Sequence, residues 1–161
     1  MRRARARAMA LRSDSYGTVE NVRALTRHLL DGAGIFDAST RPTLEDVEGM
    51  IDRWSATLNI ALLNRGIAVP VTNVIAKQMC AQWVIRKAAA EVELTQRGTG
   101  WNDDEGSRIR ALRPDDMGDD LALRIAEALR QQGELTLGRA HEGLTFTGDA
   151  TPIFTRGQFD I

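Results

Sequence analysis

Two long runs of apolar residues at helical spacing, separated by a glycine and a proline, occupy the middle of this chain, and nothing else limits its fold as tightly. In the first run Leu44, Val47, Ile51, Trp54, Leu58 and Ala61/Leu62 recur at intervals of three and four for five turns, which lines them along one helix face. Thr43 is the predicted N-cap, and Glu45 and Asp46 put negative charge at the positive end of the helix. Gly66 predicts the stop. Pro70 stands where a first-turn proline is tolerated, so a second helix is predicted over 71–96. Its apolar positions are Val71, Val74, Ile75, Met79, Trp83, Ile85 and Ala88, Ala89 and Ala90. A connection of about four residues makes the two helices an antiparallel hairpin, with the Leu44–Leu58 stripe packed on Val74, Ile75, Met79 and Trp83.

Shorter elements flank the hairpin. Residues 16–30 read as a short helix with Thr18 as N-cap and Val19, Val22, Leu25 and Leu29 as its stripe. Asp31-Gly32-Ala33-Gly34 stops it, and Ile35 and Phe36 are expected to return to the core. Residues 98–120 are rich in Gly, Asp and Arg around Pro114. They read as a polar loop with at most a short helix near 107–112. Asp119 or Asp120 is the expected cap of a last helix, with Leu121, Ile125 and Leu129 as its stripe and Gly133 as its end. From 134 to 161 the helical period disappears. Leu135, Leu137, Leu144, Phe146, Ile153, Phe154 and Phe159 are scattered among Gly, Thr and Pro, which suggests extended backbone. The predicted fold class is mainly α: a small helical bundle centred on a long antiparallel hairpin. Its organisation is a basic N-terminal arm over 1–15, a helical domain over 16–133 and an extended C-terminal tail over 134–161.

Composition sets the functional bounds. A chain of 161 residues with 43% hydrophobic and 27% charged residues can bury one core without disulfides. The net charge of -1 gives no global basic field for nucleic acid or anionic membrane. The single cysteine, Cys80, lies in an apolar-periodic stretch and reads as a buried thiol, so no disulfide forms within one chain. No run approaches the ~20 apolar residues of a membrane span. The opening 1–12 is basic but lacks a hydrophobic stretch after it, unlike a secretory signal.

Chemistry-bearing constellations are missing from the pattern. His28 and His141 are far apart, with no metal-ligand spacing around either. The acidic runs Asp103-Asp104-Glu105 and Asp115-Asp116…Asp119-Asp120 do not have the alternate-residue register of a calcium loop. Gly98-Thr99-Gly100 is followed by no lysine, and no serine stands in a nucleophile-elbow motif. A non-enzymatic protein without cofactor or metal is expected. Trp54 and Trp83 sit on helical stripes and read as core. Trp101, in the polar loop, either folds back onto the domain or anchors an interface.

The stretch 16–91 resembles the head–tail adaptor (connector) proteins of long-tailed bacteriophages. The resemblance is carried by the aromatic-led opening Tyr16-Gly17-Thr18-Val19-Glu20-Asn21-Val22 and the return residue Phe36. It continues in the helix start Arg41-Pro42-Thr43-Leu44-Glu45-Asp46-Val47 and in the run Trp54-Ser55-Ala56-Thr57-Leu58-Asn59 to Gly66, with Pro70 beginning the partner helix. The ending Phe154-Thr155-Arg156-Gly157-Gln158-Phe159-Asp160-Ile161 also looks like the tails of such proteins, whereas the 98–120 loop and the 1–12 arm depart from the pattern. The resemblance implies a virion neck protein, assembled in the host cytoplasm into a ring of twelve copies beneath the portal. That ring extends the DNA channel and presents a docking surface to a head-completion (stopper) or tail-terminator protein.

Three of the four phenylalanines, Phe146, Phe154 and Phe159, lie in the tail, with no helical stripe to bury them. Such segments order on partners. Phe146, Ile153, Phe154, Phe159 and Ile161 are therefore expected anchors, with Arg156 and Asp160 as rim contacts. By the resemblance, the receiving chain is the portal first and an adjacent copy second. In a ring, Arg2, Arg3, Arg5 and Arg7 form a cationic belt that touches either channel dsDNA phosphates, without sequence preference, or acidic surfaces of neighbours. A disordered leader, or a start at Met9, is the alternative. A rival reading is a small helical DNA-binding regulator with a helix-turn-helix around Gly66–Pro70, placing Thr72, Asn73, Lys77 and Gln78 in the groove. An enzyme or an enzyme's small subunit is a second rival.

Overall fold

A computed structural model of the chain describes residues 11–30, 34–97, 112 and 117–134. Four α-helices and a 3-10 turn make up the described part, with no strand among the described residues: α1 Val19–Thr26, the turn Arg27–Leu29, α2 Leu44–Asn64, α3 Val74–Arg97 and α4 Asp119–Gln131. Residues 1–10 of the basic arm, most of the 98–120 loop including all but Leu112 of the stretch where a short helix is expected, and the tail beyond Glu134 lie outside the described residues.

Local chemistry sets each helix end. The Thr18 side chain accepts from Asn21 N–H and opens α1. Thr43 and Asp46 form a reciprocal capping box on α2. The Thr43 hydroxyl accepts from Asp46 N–H at 3.2 Å, and an Asp46 oxygen accepts from Thr43 N–H at 2.9 Å. At the other end of α2, Gly66 takes φ +76°, and Ile67 N–H reaches back to the Leu62 carbonyl at 3.0 Å. Only a residue tolerant of positive φ closes a helix this way. The expected cap of the last helix is corrected. Gly118, with φ +97° and no side-chain cap bond, precedes α4, and Asp119 and Asp120 sit inside its first turn. A side chain at 118 would press within 3.0 Å of Leu58, so close approach of α4 to α2 requires glycine there.

The largest correction concerns the hairpin connection. α3 begins at Val74 rather than Val71, and residues 65–73 form the link. Asn73 caps the helix: its side-chain oxygen accepts from Ala76 N–H at 3.1 Å and its carbonyl from Lys77 N–H at 2.8 Å. Pro70 lies in the link. Ile67 and Val71, also in the link, turn into the core. Starting at 74 rotates the helix so that Ala76, Cys80, Trp83, Val84, Ala88 and Val92 face inward while Val74 and Ile75 point to solvent. The expected packing of α2 on Val74 and Ile75 is therefore overturned; Trp83 does meet Trp54 of α2, and Met79 is partly buried against the core.

The core joins Val47, Ile51, Leu58 and Leu62 of α2 to the inner face of α3 and to Leu121, Ile125 and Leu129 of α4. Val22 of α1 and Phe36 complete it from the N-terminal side. Ile35, expected in the core, is exposed. Of the two, Phe36 alone makes that return.

Candidate interaction surface

Polar side chains are built into this core with partners. Tyr16 is buried, and its hydroxyl donates to Asn59 Oδ1 at 2.9 Å and accepts from Val71 N–H at 3.2 Å. Its backbone N–H donates to Ser55 Oγ at 2.9 Å. One residue therefore ties the entry segment, α2 and the α2–α3 link together. Burial pushes the phenol above its ordinary 10.0, so it stays a neutral donor.

A second cluster lies between α2 and α3. The rings of Trp54 and Trp83 meet edge to face with centroids 6.0 Å apart. The buried Lys87 ammonium lies 5.2 Å from each ring centroid, a cation–π position over both. Glu91 accepts from the Trp54 indole N–H at 2.9 Å and from Arg53 at 2.6 Å. Trp54, expected as core, is only half-buried because its indole edge reaches out to Glu91. His28 Nε2 lies 2.8 Å from an oxygen of the fully buried Glu93, pinning the 3-10 turn after α1 to α3. These groups bind helices to one another. None is arranged as nucleophile, base and electrophile.

An open cleft of about 390 Å³ runs beside the start of α2, lined by Pro42, Glu45, Asp46, Gly49, Met50, Arg53 and Thr95. Asp46 and Arg53 in its lining are already engaged. The Thr43 N–H and hydroxyl hold the Asp46 carboxyl below its ordinary range, and Arg53 pairs with Glu91. Among the described residues no group of three His, Cys, Asp or Glu is placed to hold a metal ion, and no helix is long and apolar enough to cross a membrane.

The feature left without an internal explanation is the end of the hairpin. Ile60 is 62% and Leu63 54% exposed, one turn apart on the outer face of α2. Val74 is 70% and Ile75 61% exposed in the opening turn of α3 at the same end. Single exposed apolar residues are ordinary, but four at one end of a hairpin mark a place where another surface is expected. The closing turn of α4 also arrives here. Asn73 Nδ2 donates to Glu134 oxygens at 3.0 and 3.2 Å and to Gln132 Oε1 at 3.2 Å. Glu134, the last described residue, is thus held beside the start of α3.

Phe146, Ile153, Phe154, Arg156, Phe159, Asp160 and Ile161, together with Trp101, Arg2, Arg3, Arg5 and Arg7, all lie outside the described residues. Sequence reading missed the exposed face itself, since Val74 and Ile75 fit the apolar stripe of a helix begun three residues earlier. Asn73, a favoured N-cap residue just ahead of them, was the available sign. Compared with known protein families, with curated proteins and with solved structures, the chain matches none.

Proposed function

We propose that this chain is a non-enzymatic structural protein of a tailed-phage neck, a head–tail adaptor that assembles as a ring beneath the portal. The observation that carries the reading is the exposed apolar end of the hairpin, Ile60, Leu63, Val74 and Ile75, set beside the exit of an aromatic-bearing C-terminal segment. A subunit that presents apolar surface at the root of a long segment is suited to assembly rather than turnover. The resemblance over 16–91 supplies the kind of assembly. Adjacent copies, the portal above and a stopper or tail-terminator protein below are the partners, with non-specific contact to channel dsDNA from the basic arm. The place of action is the virion neck.

The duplex-reading alternative is less well supported. Its groove face needs Thr72, Asn73, Lys77 and Gln78, yet Asn73 is engaged as a helix cap and holds the Glu134 carboxylate. A carboxylate on that face repels phosphate, and Lys77 is its one cation. The test is to mix the purified protein with portal rings and image the mixture. Annular density stacked coaxially on the portal is expected. Portal rings left bare, with sequence-specific duplex binding by the isolated monomer, would overturn the proposal in favour of the regulator.

A further inference from the structure

Resting on the ring reading, we propose that the hairpin end of each subunit receives residues 135–161 of a second copy, so that every subunit is both donor and acceptor. The acceptor is Ile60, Leu63, Val74 and Ile75, which the subunit's own fold leaves in solvent. Their cover comes from outside that fold.

The donor is identified by where the described chain ends and by the composition of the residues beyond that point. Glu134 is fixed on Asn73, at the root of the acceptor face. The segment after it carries Phe146, Ile153, Phe154, Phe159 and Ile161, apolar groups that match an apolar acceptor. Extended at about 3.3 Å per residue, 135–161 reaches roughly 90 Å. The 24-residue helix α3 is only about 36 Å long, so a segment of that reach is long enough to leave its own subunit and meet the acceptor of a neighbour. Donor and acceptor are different surfaces of the same chain. Such a contact is head-to-tail, and repeated by rotation it closes into a ring. The adjacent copy, rather than the portal, is then the first receiver of the C-terminal anchors.

Two full-length variants test this. Val74→Asp/Ile75→Asp disables the acceptor, and aspartate in a first helical turn suits the helix end, so the fold is kept. Phe154→Asp/Phe159→Asp disables the donor. Mass in solution is read by light scattering, with thermal melts by circular dichroism to confirm that each variant is folded. Wild type is expected to assemble, each variant to be a folded monomer, and an equimolar mixture of the two to form a 1:1 heterodimer through the one intact contact. A monomeric wild type, either folded variant assembling as wild type does, or a mixture that stays monomeric overturns the inference. Portal binding separates it from the functional reading. Assembly in this pattern while portal rings stay bare overturns the neck assignment alone. Portal rings decorated by wild type and both variants alike overturn the donor–acceptor contact alone.

Discussion

Trp54 on α2 and Glu91 on α3 are joined through the indole N–H, which donates to a carboxylate oxygen at 2.9 Å. The other oxygen is taken by Arg53 at 2.6 Å, so one carboxylate holds two consecutive residues of the facing helix. The two bonds differ in weight. Arg53 is largely exposed, and its ion pair is screened by water. The indole N–H is partly buried, so its bond is less screened. Glu91→Ala is expected to destabilise the fold by about 1–3 kcal/mol, and Arg53→Ala by under about 1 kcal/mol. Trp54→Ala should fall below the ~3–5 kcal/mol of a fully buried tryptophan, because the ring is half-buried. Urea denaturation of the three variants checks the order.

Tyr16→Phe tests the buried hydroxyl. The ring remains, but Val71 N–H and Asn59 Oδ1 lose their shared partner inside the core. A loss of about 1–3 kcal/mol is expected, larger than for removing an exposed hydroxyl. Faster hydrogen exchange at the Val71 amide should accompany it, since that amide anchors the α2–α3 link.

Glu48→Gln is expected to raise the melting temperature at pH 7. The Glu48 Oε2 atom is buried, and no described residue hydrogen-bonds it. Burial first, then Asp52 and Glu45, push its carboxyl above the ordinary 4.5. A raised acid contributes stability below its ordinary value and loses it as pH rises through the raised one. Glutamine stays neutral throughout. The advantage of the variant should therefore shrink as pH falls toward 4.5, which melts between pH 4 and pH 8 will show.

Cys80 should be inert in the folded protein. It is fully buried on the inner face of α3, and burial pushes its thiol up to about 12. The thiolate is the reactive form, so at pH 8 alkylation should run more than about a hundredfold slower than in denaturant. Iodoacetamide labelling with mass spectrometry measures this. Native labelling at the denatured rate would place Cys80 outside the core.

Helix periods, caps and stops are decided by residues within a turn or two of one another, and these were legible in the sequence. The stripes Val47–Ile51–Leu58–Leu62 and Leu121–Ile125–Leu129, the Thr18 and Thr43 caps and the positive-φ glycines Gly66 and Gly133 all occupy the places their neighbours dictate. Where α3 begins was not legible in the same way. Val71, Val74 and Ile75 are equally apolar, and spacing alone accepts a helix starting at any of them. Tertiary structure separates them. Tyr16, far back in the chain, supplies a hydroxyl to Val71 N–H and lets the link sink into the core, while Asn73 starts the helix and leaves Val74 and Ile75 outside. The half-buried Trp54 and its partner Glu91 were hidden for the same reason. A hydrogen bond across 37 positions leaves no trace in local periodicity, because it forms only once two helices have packed.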